Sequence, residues 1–353
     1  MNFQNMAREG VREPAAIMAK GNREAHLASI RFQHPEFIPC DIGFYIGAAY
    51  KYRELIPDFY RRHPWIHNPG NMQIPDRLLA GAEYVDEWGC RWRTLEDGVE
   101  GQVIEHPLDD WSALDSFQPP AIHLDLPKLA KDYEETRRNG VIFTMGGGGN
   151  FFERMHYLRG YENLLIDMTD DSPELLVLID KLVQHKLETL QAYIELGADV
   201  MFFFDDLGIQ DRLMMSPAAF RKYLKPAYAQ FFGVGVKHGI VNMMHTDGII
   251  VEIIGDLLDC GLHSVNLQGD LIGIDYLAAE WKGRIHMSWN LDMQYVLPYG
   301  TPSEVDDYIG RIVEKMWLPE GGFDLSASIM PDVPWENIES LANAMEKWCF
   351  CQG

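Results

Sequence analysis

The sequence predicts an α/β fold in which short parallel strands close into a (β/α) barrel. After residue 140, short apolar runs alternate with longer segments whose apolar residues recur at helical spacing. Repeated strand–helix units indicate parallel strands, because parallel strands need helical crossovers. The glycine run Gly146–Gly149 lacks the Gly-x-Gly-x-x-Gly spacing of a dinucleotide-binding turn, which favours a closed barrel over an open sheet.

The first third of the chain is less regular. Residues 1–35 indicate a polar lead-in followed by a helix from about Asn22 to Phe32. Residues 82–106 alternate in polarity around a glycine-containing gap, which predicts a β-meander. The proline-rich residues 111–126 predict a surface loop.

The regular part begins near residue 136, and we predict one domain over residues 1–353, with residues 1–135 as its N-terminal elaboration. Residues 173–196 predict a long amphipathic helix, and Ser216 followed by Pro217 has the composition of a helix start. The predicted strands are Val141–Met145, Asp199–Phe204, Ile240–Met244, His263–Leu267, Arg284–Ser288 and Phe323–Ala327.

Composition excludes several classes of partner. The net charge of −23 argues against nucleic acids and anionic membrane surfaces, both of which need clustered Lys and Arg. The polar N-terminus has no apolar signal-peptide core, and no stretch approaches the ~20 apolar residues of a membrane span. Five scattered cysteines are typical of reduced thiols. We therefore expect a soluble, cytoplasmic protein.

Polar residues follow the predicted strands, which is where barrel enzymes place their catalytic groups. Asp205 and Asp206 come directly after three phenylalanines. A carboxylate beside apolar rings is costly to bury unless it has a cation, a metal or a proton. We predict catalytic roles for His245, Asp206 and Asp205; the alternative is that one of the acids caps the next segment.

His245 and Asp247 end the next strand, two residues apart, so that their side chains point the same way. A histidine and an acid on one face can share a proton or a divalent ion, and zinc accepts both ligand types. His245 and Asp247 are therefore candidate metal ligands, while proton transfer remains the alternative.

Six further residues are candidates for substrate binding. Polar side chains at the following strand ends can hydrogen-bond a substrate or merely satisfy loop backbone, and aromatic side chains can line an apolar pocket or belong to the core. The candidates are Trp88, Phe204, Gln268, Trp289, Asn290 and Asp292.

Several motifs give the chain a family resemblance. They are Asp86–Trp92, Leu158–Gly160 with Glu162–Asn163, Ile194–Asp199, Ser216–Pro217 through Lys225–Pro226, His245–Gly248, Tyr299–Val305, Gly321–Gly322 and Pro331–Asn337. Over nearly its whole length the chain resembles the uroporphyrinogen decarboxylase superfamily, which includes cobalamin-dependent methyltransferases. The resemblance implies a distorted (β/α)8 TIM barrel. Which activity follows has to be argued from the site.

Two departures from the superfamily's motifs narrow the function. The decarboxylases bind substrate carboxylates with an Arg-Gln-Ala-Gly-Arg segment, and the corresponding residues 39–45 contain no arginine. The thiol-methylating members hold zinc with His-x-Cys and a later Cys. Here the pair is His245-Thr-Asp247, and residues 326–329 contain no cysteine. Thiolate-bound zinc is excluded at these positions, whereas a metal with nitrogen and oxygen ligands, zinc among the candidates, is left open.

The resemblance thus implies a corrinoid-dependent methyltransferase. Such an enzyme moves a methyl group from a small methylated substrate to cobalamin carried by a corrinoid protein. Ether O-demethylation of a methoxylated aromatic is the reaction we expect first. The alternatives are a uroporphyrinogen-type decarboxylase and a non-catalytic small-molecule-binding barrel. The sequence is compatible with a homodimer but does not fix the oligomeric state.

Overall fold

The computed structural model describes residues 22–67, 73–140 and 144–350. The chain divides into two units, each with its own dense set of contacts. We call residues 75–133 and 144–263 the central unit, and residues 1–74, 134–143 and 264–353 the terminal unit. That the whole chain forms one domain stays a prediction.

The strands in these residues are β1 (Cys40–Phe44), β2 (Glu83–Val85), β3 (Arg91–Arg93), β4 (Gln102–Glu105), β5 (Met145–Gly149), β6 (Val200–Phe204), β7 (Val241–Thr246), β8 (Ser264–Leu267), β9 (His286–Asn290) and β10 (Phe323–Ile329). The α-helices are α1 (Asn22–Ile30), α2 (Ile46–Lys51), α3 (Ile56–Arg62), α4 (Leu126–Asn139), α5 (Phe152–Arg159), α6 (Tyr161–Asp170), α7 (Pro173–Glu195), α8 (Pro217–Ala219), α9 (Lys225–His238), α10 (Ile254–Asp259), α11 (Gly269–Ile272), α12 (Ile274–Glu280), α13 (Val296–Tyr299), α14 (Pro302–Met316) and α15 (Trp335–Cys349). A π-helical segment, Phe220–Leu224, joins α8 to α9.

The central unit contains three parallel strands in the order β7-β6-β5. Phe204 pairs with His245 across β6 and β7, so the acids after β6 lie beside the carboxyl end of β7. The unit also contains the antiparallel sheet β2-β3-β4, which confirms the predicted meander.

The terminal unit contains four parallel strands in the order β1-β10-β9-β8. Every residue of β8 and of β9 is buried, as is typical of parallel strands covered on both faces. The alternation of parallel strands and helices in both units confirms the predicted α/β class.

Helix starts follow the sequence signals. The hydroxyl of Ser216 accepts a hydrogen bond from the backbone N–H of Ala219, and Pro217 takes the first helical position, as predicted. Thr301 and Glu304 form a reciprocal capping box at the start of α14. These caps satisfy backbone N–H groups that have no partner inside the helix.

The glycine run was placed wrongly by the sequence prediction. Gly146–Gly149 belong to β5, whereas the sequence prediction ended this strand at Met145, and residues 141–143 of the predicted strand lie outside the described residues. A Cβ on Gly146 would lie 2.8 Å from the Cβ of Tyr193 on α7, and one on Gly148 would lie 2.6 Å from the ring of Phe203. The strand needs glycine because a helix and a neighbouring strand pack directly against its backbone.

Other strand ends also differ from the prediction. β7 continues through His245 and Thr246, and β9 continues through Trp289 and Asn290. These polar and aromatic residues therefore lie in regular strand geometry instead of in loops. In the parts of the chain that the structure describes, no helix has the length and apolar composition needed to cross a bilayer.

The loops after β6 and β7 meet at two glycines. Gly248 has φ +77°, and a Cβ there would lie 2.2 Å from the carbonyl carbon of Gly208.

We expect Gly248→Ala to lower the free energy of unfolding by about 3 kcal/mol, because the alanine Cβ would be strained by the left-handed backbone and would clash with Gly208. Gly239→Ala is the matched control, because Gly239 has φ +68° but no atom near its Cβ position, so its cost should be about 1 kcal/mol. Equal losses in urea unfolding would contradict the close contact between the two loops.

Candidate functional site

The carboxyl ends of β6 and β7 bring a histidine and two acids together. Nε2 of His245 lies 3.4 Å from Oδ1 of Asp247 and 4.0 Å from Oδ1 of Asp206. The backbone N–H of Asp247 donates to Oδ1 of Asp206 at 3.0 Å, which ties the two loops together. The three side chains are about one quarter to two fifths exposed, so a ligand can reach them.

These three residues fit a divalent cation. Each offers one ligand atom, and these atoms all lie within 4.8 Å of one another. Oδ1 of Asp247 is buried and accepts no hydrogen bond from the described residues. Burial raises the pKa of Asp206, and the negative charge of Asp247 raises it further. One nitrogen and two oxygen ligands suit zinc with a coordination position left open.

Asp205 lies next to this cluster along the chain but has different contacts. Its side chain is buried, and both oxygens accept from the N–H of Phe151 at 2.8 and 2.9 Å. It also accepts from the N–H of Glu153 at 2.9 Å and from the hydroxyl of Tyr228 at 2.7 Å. Burial raises the pKa of Asp205 to about 6, against the effect of these hydrogen bonds. Asp205 therefore holds the first turn of α5 in place, and a direct catalytic role for it stays a prediction.

Glu153, in that first turn, is a candidate that the sequence reasoning missed. The hydroxyl of Tyr157 donates to it at 2.9 Å, and the amide of Asn150 donates to it at 3.4 Å. Burial raises the pKa of Glu153 to about 7, and the charges of Asp205 and Asp206 add to the effect. Glu153 lies on a helix rather than at a strand end, so the strand-end pattern could not identify it. A carboxyl group that titrates near neutrality can donate a proton at pH 7.

Basic residues lie in the same unit. Burial lowers the pKa of Lys186 to about 8. The ammonium group of Lys186 lies close to the position that a Cβ would occupy at Gly149. The guanidinium of Arg154 pairs with Asp86 at 3.3 Å and lies 4.7 Å from the ring centre of Trp88. The negative charge of Asp205 acts against the lowering of the Lys186 pKa, and Arg154 has its ion pair with Asp86.

The predicted aromatic residues differ in exposure. Trp88 is partly exposed, and its ring contacts that of His185 at 4.9 Å between centroids. Phe204 is 42% exposed at the end of β6. Trp289 is fully buried in the terminal unit, against the backbone of Gly269. Trp88 and Phe204 are thus accessible to a ligand, whereas Trp289 has no exposed surface with which to contact one.

The remaining predicted residues come together in the terminal unit. Gln268, Asn290 and Asp292 line one cavity of about 210 Å³. The carboxylate of Asp292 accepts from the backbone N–H groups of Gln294 at 2.8 Å and Tyr295 at 3.0 Å, so it stabilises the turn after β9. The structure therefore groups the predicted residues into two sets, one in each unit.

An α/β fold with a cluster of acids and a histidine at its strand ends is typical of an enzyme. The sequence matches the family described as uroporphyrinogen decarboxylase (URO-D) over residues 86–348. The chain belongs to the uroporphyrinogen decarboxylase family.

Similar proteins include both decarboxylases and methyltransferases. The uroporphyrinogen decarboxylase of Geotalea uraniireducens is 25% identical over 265 residues, which cover 71% of this chain and 74% of that protein. The methylcobamide:CoM methyltransferase MtaA of Methanosarcina barkeri is 31% identical over 164 residues, which cover 44% of each chain. A solved methyltransferase from Methanosarcina mazei superposes with a TM-score of 0.68 and 18% identity, over 93% of this chain and 98% of its own. This structural likeness confirms the predicted barrel type of fold.

The ligand set of the cluster predicts divalent metal binding. We expect the purified protein to bind one Zn²⁺ or Co²⁺ per chain in calorimetric titrations, and His245→Ala to weaken binding by at least about 100-fold. Asp211→Asn is the control, because Asp211 is exposed and lies outside the cluster. Unchanged affinity in His245→Ala would place the metal elsewhere and leave the cluster to proton transfer.

The raised pKa of Glu153 predicts a dependence of stability on pH. The ordinary pKa of the carboxyl is 4.5 and the folded one is about 7, so the folded state retains a proton that the unfolded state has lost. Stability should therefore fall as pH rises from about 4.5 to 7, by at most about 3 kcal/mol. Urea unfolding in EDTA should show the full fall in the wild type and in the control Glu188→Gln, an exposed position on α7. Glu153→Gln should show a smaller fall, to which Asp205 still contributes because its pKa is raised to about 6. The same fall in all three proteins would contradict the assignment.

Proposed function

We propose that this protein is a corrinoid-dependent methyltransferase. It removes a methyl group from a small methylated donor, in the first instance a methoxylated aromatic, and passes the group to cobalamin(I) on a corrinoid protein. The observation that carries the proposal is the cluster of Asp206, His245 and Asp247, which joins nitrogen and oxygen ligands within 4.8 Å of one another. The similarity to the methyltransferase MtaA over 44% of the chain supports the reaction class.

The chemistry of ether cleavage sets the task of the site. The methyl carbon leaves the ether oxygen for cobalt(I) of the partner protein, and the oxygen keeps the electron pair of the broken bond. Negative charge therefore develops on that oxygen and has to be stabilised by a proton or a Lewis acid. A divalent ion bound by the cluster would supply the Lewis acid.

The type of metal ligand in the cluster influences which leaving-group atom the metal would favour. The relative named methylcobamide:CoM methyltransferase acts, by its name, on a coenzyme M acceptor. Here a carboxylate occupies the position after His245-Thr, and oxygen ligands favour hard oxygen partners, whereas thiolates suit softer ones. This chain's site therefore suits a substrate oxygen better than a substrate sulfur.

Glu153 completes the proposed machinery as the proton donor. Its protonated carboxyl would neutralise the departing oxygen, and its hydrogen bonds from Tyr157 and Asn150 orient it. Asp205 would act through Glu153, because it accepts the N–H of that residue and so fixes its position. In this assignment Asp205 is a positioning residue.

Decarboxylation is the second candidate, because the decarboxylase relatives match a longer part of the chain than MtaA does. The charges disfavour it. A polycarboxylate substrate would meet the acids of the central unit, and residues 39–45 contain no arginine that could bind it.

The test is methyl transfer in vitro. We expect reduced cob(I)alamin to become methylcobalamin, followed by its spectrum, when the protein is mixed with one member of a panel of methoxylated aromatics. His245→Ala should lower the rate by at least about 100-fold, because the developing charge loses its stabilisation. Asp211→Asn, which leaves the cluster intact, should keep the wild-type rate.

The pH profile separates the role of Glu153 from that of the cluster. Because the carboxyl must be protonated to donate, the wild-type rate should fall above about pH 7. Glu153→Gln should be slower at pH 6 and lack this fall. Silence of the whole ether panel, together with conversion of uroporphyrinogen, would replace the proposal by the decarboxylase.

A further inference from the structure

The cavity after β8 and β9 has a size and a set of lining residues that define which molecules fit it. It measures about 210 Å³, room for about seven water molecules at ~30 Å³ each. Asn290 and Leu291 line it and are buried, at 5% and 1% exposure. Its partly exposed and exposed residues include Leu271 and Tyr295. The cavity is therefore open to solvent and reaches buried side chains.

Asn290 is the lining residue that indicates a bound ligand. Its Oδ1 is buried without a hydrogen-bond partner, and within the described residues no hydrogen bond reaches its side-chain amide. An unmade hydrogen bond at a buried polar atom is destabilising, so native proteins pair such an atom with water or with a bound molecule where no protein group reaches it. An amide can both donate and accept, so its natural partner is a group that does the same, such as a hydroxyl.

Asp270 adds an acceptor at the edge of the cavity. Its Oδ2 accepts from the indole N–H of Trp289 at 3.2 Å and from the hydroxyl of Tyr308. These two bonds hold the carboxylate in one orientation, and Oδ1 takes no hydrogen bond from the described residues. The group is thus fixed and ready to accept a hydrogen bond from a ligand.

The lining also excludes some ligands. No Lys, Arg or His is among the residues that line the cavity in the described parts of the chain, and Asp270 and Asp292 are both acidic. A carboxylate or phosphate would meet repulsion from these two acids, and no lining side chain carries a positive charge, because Arg311 acts on Asp270 from outside the lining. Leu271, Leu291 and the ring of Tyr295 offer apolar contact to the rest of the molecule.

We infer that this cavity is a binding site for an uncharged, hydroxyl-bearing small molecule with an apolar face, of the size of a phenol. Its hydroxyl would bond the amide of Asn290 or the carboxylate of Asp270, and its ring or carbon skeleton would pack on the leucines. The inference extends the predicted substrate-binding role of Gln268, Asn290 and Asp292. It names the chemistry of the bound molecule and stands whether or not that molecule donates a methyl group.

The experiment is direct binding to the protein of residues 1–353 in EDTA, without corrinoid. Resorcinol is the probe, cyclohexane-1,3-diol tests whether the apolar face must be aromatic, and benzoate is the anionic control of similar size. We expect saturable resorcinol binding by ligand-observed NMR, competition between the two diols, and at least tenfold weaker binding of benzoate. Equal binding of benzoate would overturn the inference.

Three variants locate the binding. Asn290→Leu and Asp270→Asn should each weaken resorcinol binding by about three- to tenfold, the usual effect of one lost hydrogen bond. Leu271→Trp should abolish it by filling the cavity from a partly exposed position, where folding is least at risk. Asp275→Asn is the control, because Asp275 is exposed and does not line the cavity.

Unchanged resorcinol binding in Leu271→Trp would overturn the inference, even if Asn290→Leu failed to fold. The outcome is separate from that of the proposed function. Loss of methyl transfer leaves this binding result standing, and absent resorcinol binding leaves the methyl-transfer test standing.

Discussion

The buried carboxylate of Asp205 is the contact on which the arrangement of the central unit depends. It accepts two backbone N–H groups at the start of α5 and the hydroxyl of Tyr228, which is itself buried on α9. One side chain after β6 thus fixes a helix start and contacts a second helix. Because a buried carboxylate without these donors would be strongly destabilising, the contact couples folding to the position of Glu153.

Asp206, the next residue, has its contacts in the metal-ligand cluster rather than at the start of α5. Asp206 keeps an oxygen within reach of His245 and Asp247, and the same oxygen accepts the N–H of Asp247. The close approach of Gly208 and Gly248 holds the two loops together and leaves no room for a side chain between them. Loops held together in this way keep the metal-ligating atoms in position before a metal or a substrate binds. The site then needs little reorganisation during the reaction.

Sequence reasoning identified much of this arrangement because parallel strands bring their carboxyl ends to one edge. That rule places Asp206 beside His245 and Asp247, and it also places Gln268 beside Asn290. It cannot tell Asp205 from Asp206, because the difference lies in hydrogen bonds from residues about 50 positions earlier in the chain. Nor can it find Glu153, whose importance depends on its burial near two acids. The sequence prediction ended β5 at Met145 because a run of glycines is unusual within a strand, whereas packing against Tyr193 and Phe203 requires glycine there.

In the proposed reaction, the protein takes a methyl group from an ether oxygen, and the cluster around His245 makes this possible. A single-turnover reaction with a ¹³C-methoxy aromatic and cob(I)alamin, followed by ¹³C NMR, tests it most directly. We expect the label to move from oxygen to cobalt with one equivalent of phenol released, and to stay on oxygen with His245→Ala. A label that stays on oxygen with the wild-type protein for every methoxylated donor, or that moves equally well with His245→Ala, would contradict this mechanism.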